Sequence, residues 1–204
     1  MKKIITIGRE FGSGGRELGR RLSEELGIAY YDQEIITEIA KRTDMSEEYV
    51  RQMSESRPAV SFPIHVRHSF YPTSNTTVQQ SVTIFGEQHK LIKELAQKSD
   101  CVIVGRCADY VLRDERPFRI FVYADMPSKV KRCNERKSAD EDMTEAQMIK
   151  KMKEIDKNRA KYYEFFSEHR WGAKENYDLM VNTSYADLKL LGKAIADYLN
   201  KIYG

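Results

Sequence analysis

The sequence predicts an α/β fold built around a parallel sheet. Short runs of apolar, mostly β-branched residues alternate with longer amphipathic segments along most of the chain, and this alternation is typical of parallel strands joined by helices. A length of 204 residues suits a single domain that buries its own core. A cluster of glycines follows the first apolar run, at a position where such folds commonly bind ligands.

The individual elements follow from the same patterns. The run KIITIG at residues 3–8 predicts a buried first strand. Leucines recur every four residues from Leu18 to Leu26, and Gly27 follows them, which predicts a core-facing helix over residues 15–26. Further strands are predicted at 28–32, 101–105, 118–124 and 178–183, and further helices at 34–42, 78–98, 127–137, 145–167 and 186–202.

Residues 56–77 interrupt this alternation. Prolines are scattered here among Ser, Thr and Asn without a sustained period, which indicates either a mobile loop or the edge of an inserted lobe. His65 and His68 are three residues apart, as paired metal ligands can be, but no third candidate ligand lies close to them in the sequence. The sequence therefore predicts no metal site formed by the protein alone.

The balance of charges bears on the class of partner. The formal net charge is +3, from 34 basic and 31 acidic residues, so the chain lacks the one-sided basic character of a nucleic-acid-binding protein. A protein can bind a small anionic molecule with a local cluster of basic residues, without a high net charge. We therefore expect small-molecule partners and no nucleic acid, while the oligomeric state stays open.

Cysteine usage and hydropathy predict the compartment. The three cysteines form no C-x-x-C pair, which argues against a disulfide framework and against a zinc site. The N-terminal apolar run consists only of IITI, far less than a signal peptide needs, and no stretch approaches the length of a membrane span. We expect a cytoplasmic protein without membrane association.

Glycines separate the first predicted strand from the first predicted helix. Glycine tolerates the left-handed torsions and the close approach that let several backbone N–H groups point at one anion, and the helix N-terminus behind them adds a positive dipole. Tight packing of the strand on the helix is the alternative explanation. The residues predicted to bind phosphate are Gly12, Ser13, Gly14, Gly15 and Arg16.

This loop departs from the nucleotide-binding consensus G-x-x-x-x-G-K-[ST]. If Gly15 and Arg16 replace the usual lysine and hydroxyl residue, the loop lacks both the compact ammonium group and the hydroxyl that normally holds magnesium. Arg16 can then serve as a forked phosphate clamp. Ser13 or Glu17 would have to help with the metal, directly or through water.

Four blocks of sequence complete the pattern. They read ITIGREFGSGGRELGRRLSEELGIAYYDQEII, DCVIVGRCADYVL, FRIFVYADMPSKVKRCNER and DKNRAKYYEFFSEHRWGAKENYDLMVNTS. Together they resemble the cytidylate kinase-like proteins, a branch of the P-loop nucleoside monophosphate kinases. Their order and spacing make the resemblance more specific than any single block, and it extends over most of the chain.

The resemblance implies a three-layer P-loop kinase fold in one domain over residues 1–204. It further implies an inserted lobe that binds a nucleoside monophosphate at about 33–90, and a helical lid at about 138–172. The implied reaction transfers the γ-phosphoryl group of ATP, with Mg²⁺, to an acceptor such as CMP or dCMP. Two alternatives stay open: a nucleotide-binding regulatory protein with weak or no transfer, and a P-loop kinase for another small acceptor.

Candidate acceptor-binding residues follow two of the predicted strands. Gly105 and Arg106 follow the third strand; in the resembling kinases such a pair holds the acceptor phosphate, and a guanidinium can bond two oxygens at once. Cys107 comes next, where typical cytidylate kinases have an aspartate, and Asp109 comes later. Asp32 closes the second strand and is a further candidate, with a turn-forming aspartate as the alternative.

Charged residues in the block that resembles the lid are candidates for catalysis. The loose transition state of phosphoryl transfer spreads charge over the phosphoryl oxygens and needs cations nearby. A solvated helix face is the alternative for each of them, and the aromatic residues after Arg159 are interpreted as packing. The predicted catalytic residues are Arg16, Arg132, Asp156 and Arg159.

Overall fold

The structure, a computed structural model, describes residues 2–54, 76–136 and 143–204. Most of the irregular segment at 56–77, with His65 and His68, lies outside these ranges, as do the first residues of the predicted lid. The described strands are β1 (Ile4–Arg9), β2 (Ala29–Tyr31), β3 (Cys101–Val104), β4 (Phe118–Tyr123) and β5 (Leu179–Asn182). The described α-helices are α1 (Gly15–Leu26), α2 (Gln33–Thr43), α3 (Glu47–Ser54), α4 (Thr76–Lys98), α5 (Ala108–Val111), α6 (Met126–Glu135), α7 (Glu145–Ser167) and α8 (Leu188–Tyr203).

The strands form one parallel sheet in the order β2-β3-β1-β4-β5. Strand β1 lies at the centre, with Ile5 opposite Val102 of β3 and Phe118 of β4. Successive side chains of β1 enter different cores, Ile4 on one face and Ile5 on the other. A parallel sheet covered on both faces needs apolar residues at every position, which is why its strands appear in the sequence as short continuous apolar runs.

Helices cover both faces of the sheet. On one face, Leu18 and Leu22 of α1 pack with Ile195 and Leu199 of α8 against the strands. On the other face, α2, α3, α4 and α5 share a second core with the sheet. The three layers confirm the predicted α/β fold. None of the helices in the described ranges combines the length and the apolar character needed to cross a membrane.

The predicted elements agree closely with the structure. Helices α1 and α7 have the predicted bounds, and Thr144 caps α7 by accepting a hydrogen bond from the N–H of Gln147. The sequence analysis misses two short helices, the four-residue α5 and α3, and α3 buries only Val50 and Met53 among its apolar side chains. Two apolar side chains are too few for a helical period to be recognised.

The carboxyl ends of β1 and β3 lie side by side, and both lead into loops with left-handed backbone. Gly12 and Gly14 after β1 have φ of 74° and 82°, and Gly105, Arg106 and Cys107 after β3 have φ of 76°, 61° and 52°. In parallel sheets, ligands bind at this edge. These two loops therefore frame the candidate site.

Candidate active site

The glycine loop lines a cavity of about 310 Å³ at the N-terminus of α1, called here the loop cavity. The positive φ angles of Gly12 and Gly14 turn the backbone around this space, and α1 begins at Gly15. An anion in the cavity would meet loop N–H groups and the positive end of the helix dipole. The structure thus brings together four of the residues predicted to bind phosphate: Gly12, Gly14, Gly15 and Arg16.

Buried charges behind the loop fix its shape. Lys129 of α6 is buried, with its Nζ 2.5 Å from an oxygen of Glu10 and 3.6 Å from one of Asp156. Asp156 of α7 accepts a 2.7 Å hydrogen bond from the N–H of Phe11. Burial raises the pKa of Asp156, although the Phe11 N–H and Lys129 oppose this. These contacts anchor the loop to α6 and α7.

Arg132 and Asp156 support the loop from outside the cavity. The Arg132 guanidinium donates to the carbonyls of Gly12 and Thr183, at 2.7 and 3.1 Å. Neither Arg132 nor Asp156 belongs to the wall of the loop cavity. Both side chains therefore contact the backbone of the loop, and the catalytic role predicted for them stays a prediction.

Ser13 and Glu17 also lie away from the predicted ligand. The buried Ser13 hydroxyl donates a 2.8 Å hydrogen bond to the carbonyl of Glu10. Glu17 pairs with Arg21 at 2.8 Å and with Arg136; burial acts to raise the pKa of Glu17, but these two arginines lower it below its ordinary value. Neither side chain lines the loop cavity, so neither is placed to hold a metal there.

A second cavity, of about 40 Å³, lies beside the loop after β3 and is called here the Arg106 cavity. Arg106 is buried in its wall, and its carbonyl accepts a 3.0 Å hydrogen bond from Gln88. Arg106 and Cys107 are consecutive non-glycine residues with left-handed backbone, a conformation that is costly and often found at functional sites. Arg106 thus lies at the carboxyl edge of the sheet, and the acceptor contact predicted for it stays a prediction.

Asp109 lines the same cavity as Arg106. It is buried, and one of its oxygens accepts a 2.6 Å hydrogen bond from the hydroxyl of Tyr163. Burial raises the pKa of Asp109, and the hydrogen bond from Tyr163 opposes this. Tyr162 and Tyr163 are themselves buried in an aromatic cluster, which confirms that they pack. Tyr163 thus fixes the position of the Asp109 carboxyl group.

Arg9 and Arg159 line both cavities. Burial lowers the pKa of Arg9 to about 9, the positive charges of Arg159, Arg106 and Arg16 lower it as well, and only Asp32 opposes them. With a pKa of about 9, Arg9 still remains protonated at neutral pH. A cluster with this excess of guanidinium groups, partly removed from water, is suited to bind an anion with several oxygens.

Asp32 is the counter-ion of Arg16 and Arg9 within this cluster. It is buried after β2, with one oxygen 2.8 Å from Arg16 Nε and the other 3.9 Å from Arg9 Nη2. Asp32 belongs to the wall of neither cavity. Asp32 is therefore placed to orient Arg16 beside the loop cavity, and the acceptor contact predicted for it stays a prediction.

The described carboxylates do not fit a resident magnesium ion. Within residues 2–54, 76–136 and 143–204, no three His, Cys, Asp or Glu side chains converge as metal ligands would. Near the loop, Glu10, Glu17 and Asp32 are each paired with a cation. The glycine loop, in contrast, fits the phosphates of a nucleotide, and magnesium usually enters such sites bound to phosphates and waters.

Sequence reasoning misses Arg9 and Lys129. Arg9 ends the apolar run of β1 at the carboxyl edge of the sheet, and a charge at that edge is the signal that could have identified it. Lys129 lies among other basic residues of α6. Nothing in the local sequence shows that Lys129 alone is buried against Glu10.

The glycine at position 14 can be tested by its effect on stability. A Cβ there would lie 2.8 Å from Leu188 Cδ1, at a φ of 82°, so Gly14→Ala is expected to lower the free energy of unfolding by about 1–3 kcal/mol. Gly86 has open space around its would-be Cβ and lies within α4, so Gly86→Ala should be neutral or stabilising. Urea denaturation compares the two variants; equal stabilities would contradict the loop geometry.

Solved structures share this fold. An uncharacterized protein from Eubacterium ventriosum is 29% identical, with a TM-score of 0.70, and the match covers 98% of this chain and 99% of that one. Shikimate kinase from Acinetobacter baumannii in complex with shikimate is 16% identical, with a TM-score of 0.56 and coverages of 99% and 94%. Shikimate kinase from Bacteroides thetaiotaomicron is 12% identical, with a TM-score of 0.56 and coverages of 98% and 97%. At these identities the two kinases show the P-loop kinase fold alone.

The sequence itself gives a more specific relation. A comparison with curated proteins finds no significant match. The sequence model of the cytidylate kinase-like family, however, matches residues 4–185, a range that includes the glycine loop, Arg106 and Arg159. The chain therefore belongs to the cytidylate kinase-like family.

Proposed function

We propose that this protein transfers the γ-phosphoryl group of ATP to a nucleoside monophosphate of the CMP or dCMP type. The observation that carries the proposal is that the loop cavity and the Arg106 cavity share Arg9 and Arg159 in their walls. A donor phosphate in the loop cavity would meet the anionic group of the acceptor at these two cations, since the Arg106 cavity, at about 40 Å³, has room for that group and not for a whole nucleotide. Family membership supports a P-loop kinase, and the acceptor class rests on the resemblance to cytidylate kinases.

The donor side is the loop cavity. The β- and γ-phosphates of ATP would lie against the N–H groups of residues 12–15, with Arg16 as a forked clamp oriented by Asp32. Mg²⁺ bound to these phosphates would neutralise part of their charge. Because Glu10 and Glu17 are paired with cations, we assign the ion to the nucleotide and to no carboxylate of the loop.

The acceptor side is the Arg106 cavity. The buried Arg106 guanidinium would hold the anionic group of the acceptor, because a planar fork can bond two of its oxygens. Asp109, fixed by Tyr163 at 2.6 Å, can contact a polar group of the same acceptor. Arg159 would lie over the transferring group, since its side chain belongs to the wall of both cavities.

A second candidate is a P-loop kinase for another small anionic acceptor. Cys107 is buried next to Arg106, at the position where typical cytidylate kinases have an aspartate. Base recognition of the usual kind would therefore need other residues. A regulatory protein that binds nucleotide without transfer is the remaining alternative.

A screen for acceptors tests these proposals. The purified protein is incubated with ATP and Mg²⁺ and with CMP, dCMP, UMP, dUMP, purine monophosphates or small carboxylate-bearing alcohols, and ADP release is measured. Reactions without acceptor give the background rate of ADP release. Arg159→Ala is purified in parallel, and turnover that is equally fast in this variant would reveal a contaminating kinase. Turnover of CMP or dCMP is the expected result. Turnover of a different acceptor alone would support the second candidate, and ATP binding without any turnover would support the regulatory protein.

A further inference from the structure

Two departures from the nucleotide-binding consensus occur together in this loop. With Gly14 as the second glycine of G-x-x-x-x-G-K-[ST], Gly15 stands at the lysine position and Arg9 at the first glycine position. The chain therefore has glycine where the consensus has a cation, and a cation where the consensus has glycine. The two changes are reciprocal in charge and in size.

The structure shows that these two positions compete for one space. A Cβ on Gly15 would lie 2.5 Å from Arg9 Cβ and 3.1 Å from Arg9 Cγ, so the stem of Arg9 fills the volume into which a side chain at position 15 would begin. The guanidinium of Arg9 then reaches the loop after β3. A Cβ on Gly105 would lie 1.6 Å from Arg9 Nη1, so Gly105 must lack a side chain for Arg9 to pass.

The surroundings of Arg9 do not neutralise it. The nearest carboxylate among the described residues is Asp32, at 3.9 Å, which is beyond hydrogen-bond distance, and Asp32 is already engaged by Arg16 at 2.8 Å. Arg159 and Arg106 add like charge from the other sides. An arginine with a purely structural role would be expected to have a close carboxylate partner when buried.

We propose that Arg9 is a catalytic residue that supplies the cation normally supplied by the P-loop lysine, and that it contacts the phosphoryl group passing between the two cavities. This role rests on the proposed phosphoryl transfer. Arg9 enters from the end of β1, whereas a lysine would enter from the first turn of α1. Both would bring a positive charge to the same place, the junction of the loop cavity and the Arg106 cavity.

The reciprocal exchange gives a direct test. Arg9→Gly should lower kcat roughly 10²-fold or more, as removal of one preorganised donor does. Gly15→Lys alone should lower thermal stability and activity, because its Cβ meets Arg9. The double variant Arg9→Gly/Gly15→Lys should recover at least about tenfold of the lost kcat, a non-additive result that a double-mutant cycle measures. A double variant whose kcat is the product of the two single effects would overturn the proposal.

A binding experiment separates this proposal from the proposed function. Inorganic pyrophosphate should raise the thermal midpoint of the wild type, by mass action on the folded state, and this shift should be lost in Arg9→Gly and regained in the double variant. Arg9→Met keeps most of the side-chain volume without the charge, and serves if Arg9→Gly does not fold. Arg20→Ala is the control. The Arg20 side chain is 65% exposed, and its nearest carboxylate partner, Glu24 on the same helix, is 3.8 Å away, beyond hydrogen-bond distance.

The two possible failures are distinguishable. If the wild type binds pyrophosphate but phosphorylates no acceptor, the proposed function fails. The change in thermal midpoint caused by pyrophosphate still shows in that case whether Arg9 contributes to phosphate binding. If Arg9→Met binds pyrophosphate as tightly as the wild type and turns over at the rate of Arg20→Ala, Arg9 is a structural residue. If Arg9→Met raises only the acceptor KM, Arg9 belongs to the acceptor site, and the equivalence to the lysine is wrong.

Discussion

Arg159→Ala is expected to lower kcat roughly 10³-fold, the lower range for loss of an arginine finger in phosphoryl transfer. Both KM values should change little, because the proposed contact is made mainly in the transition state. The side chain lies between the two cavities, and its Nη1 is 3.6 Å from Asp156. Asp156 keeps Lys129 and the Phe11 N–H as partners in the variant, so the loop should retain its anchor.

Steady-state kinetics with both substrates varied will check this result. Arg159→Lys should recover only part of the loss, since an ammonium supplies charge without a planar fork. Lys150→Ala is a matched control, because Lys150 is an exposed cation on the same helix. If Arg159→Ala turns over as fast as this control, Arg159 takes no part in transfer.

Arg106→Ala is expected to raise the acceptor KM roughly 10- to 150-fold, the equivalent of losing a charge-assisted contact worth about 1.5–3 kcal/mol. The KM for ATP should stay nearly constant, since Arg106 lines only the cavity away from the glycine loop. The backbone should tolerate the change: Gln88 hydrogen-bonds the Arg106 carbonyl, not its side chain, and alanine at a φ of 61° is no more strained than arginine.

Competition between acceptors sharpens this test. In the wild type, an acceptor analogue without its anionic group should have a much higher KM than the intact acceptor. In Arg106→Ala the two KM values should be nearly equal, because the variant has already lost the contact that the analogue lacks. Arg113→Ala is the control, as Arg113 is exposed and lies over the ring of Tyr110, outside the cavity wall. A rise in the ATP KM instead would assign Arg106 to the donor phosphates.

Local patterns in the sequence predict the scaffold well. The leucine period identifies α1 because one face of this helix packs on the core. Its end is predicted correctly because Gly27, in the left-handed conformation, terminates the helix. Continuous apolar runs identify the strands because both faces of the sheet are covered. The short helix α3 leaves no such pattern, since it contributes only Val50 and Met53 to the core.

The site is less predictable because the contacts of each charged side chain are made with residues that are distant in the sequence. Arg132, Asp156 and Arg159 look alike in the sequence, as charged positions within predicted helices. The structure separates them: Arg132 faces backbone carbonyls of residues 12 and 183, Asp156 faces the N–H of Phe11, and only Arg159 lines the cavities. Contacts between residues more than a hundred positions apart have no local signature.

Asp156 and Arg159 lie one turn apart on α7, so the hydrogen bond from Phe11 to Asp156 joins the glycine loop to the helix that lines the Arg106 cavity. A donor phosphate that shifts the loop would thereby shift Arg159 on the acceptor side. Thermodynamic linkage then requires the acceptor to change the affinity for ATP by the same factor. Affinities measured with one substrate alone would then differ from those of the ternary complex by this coupling factor.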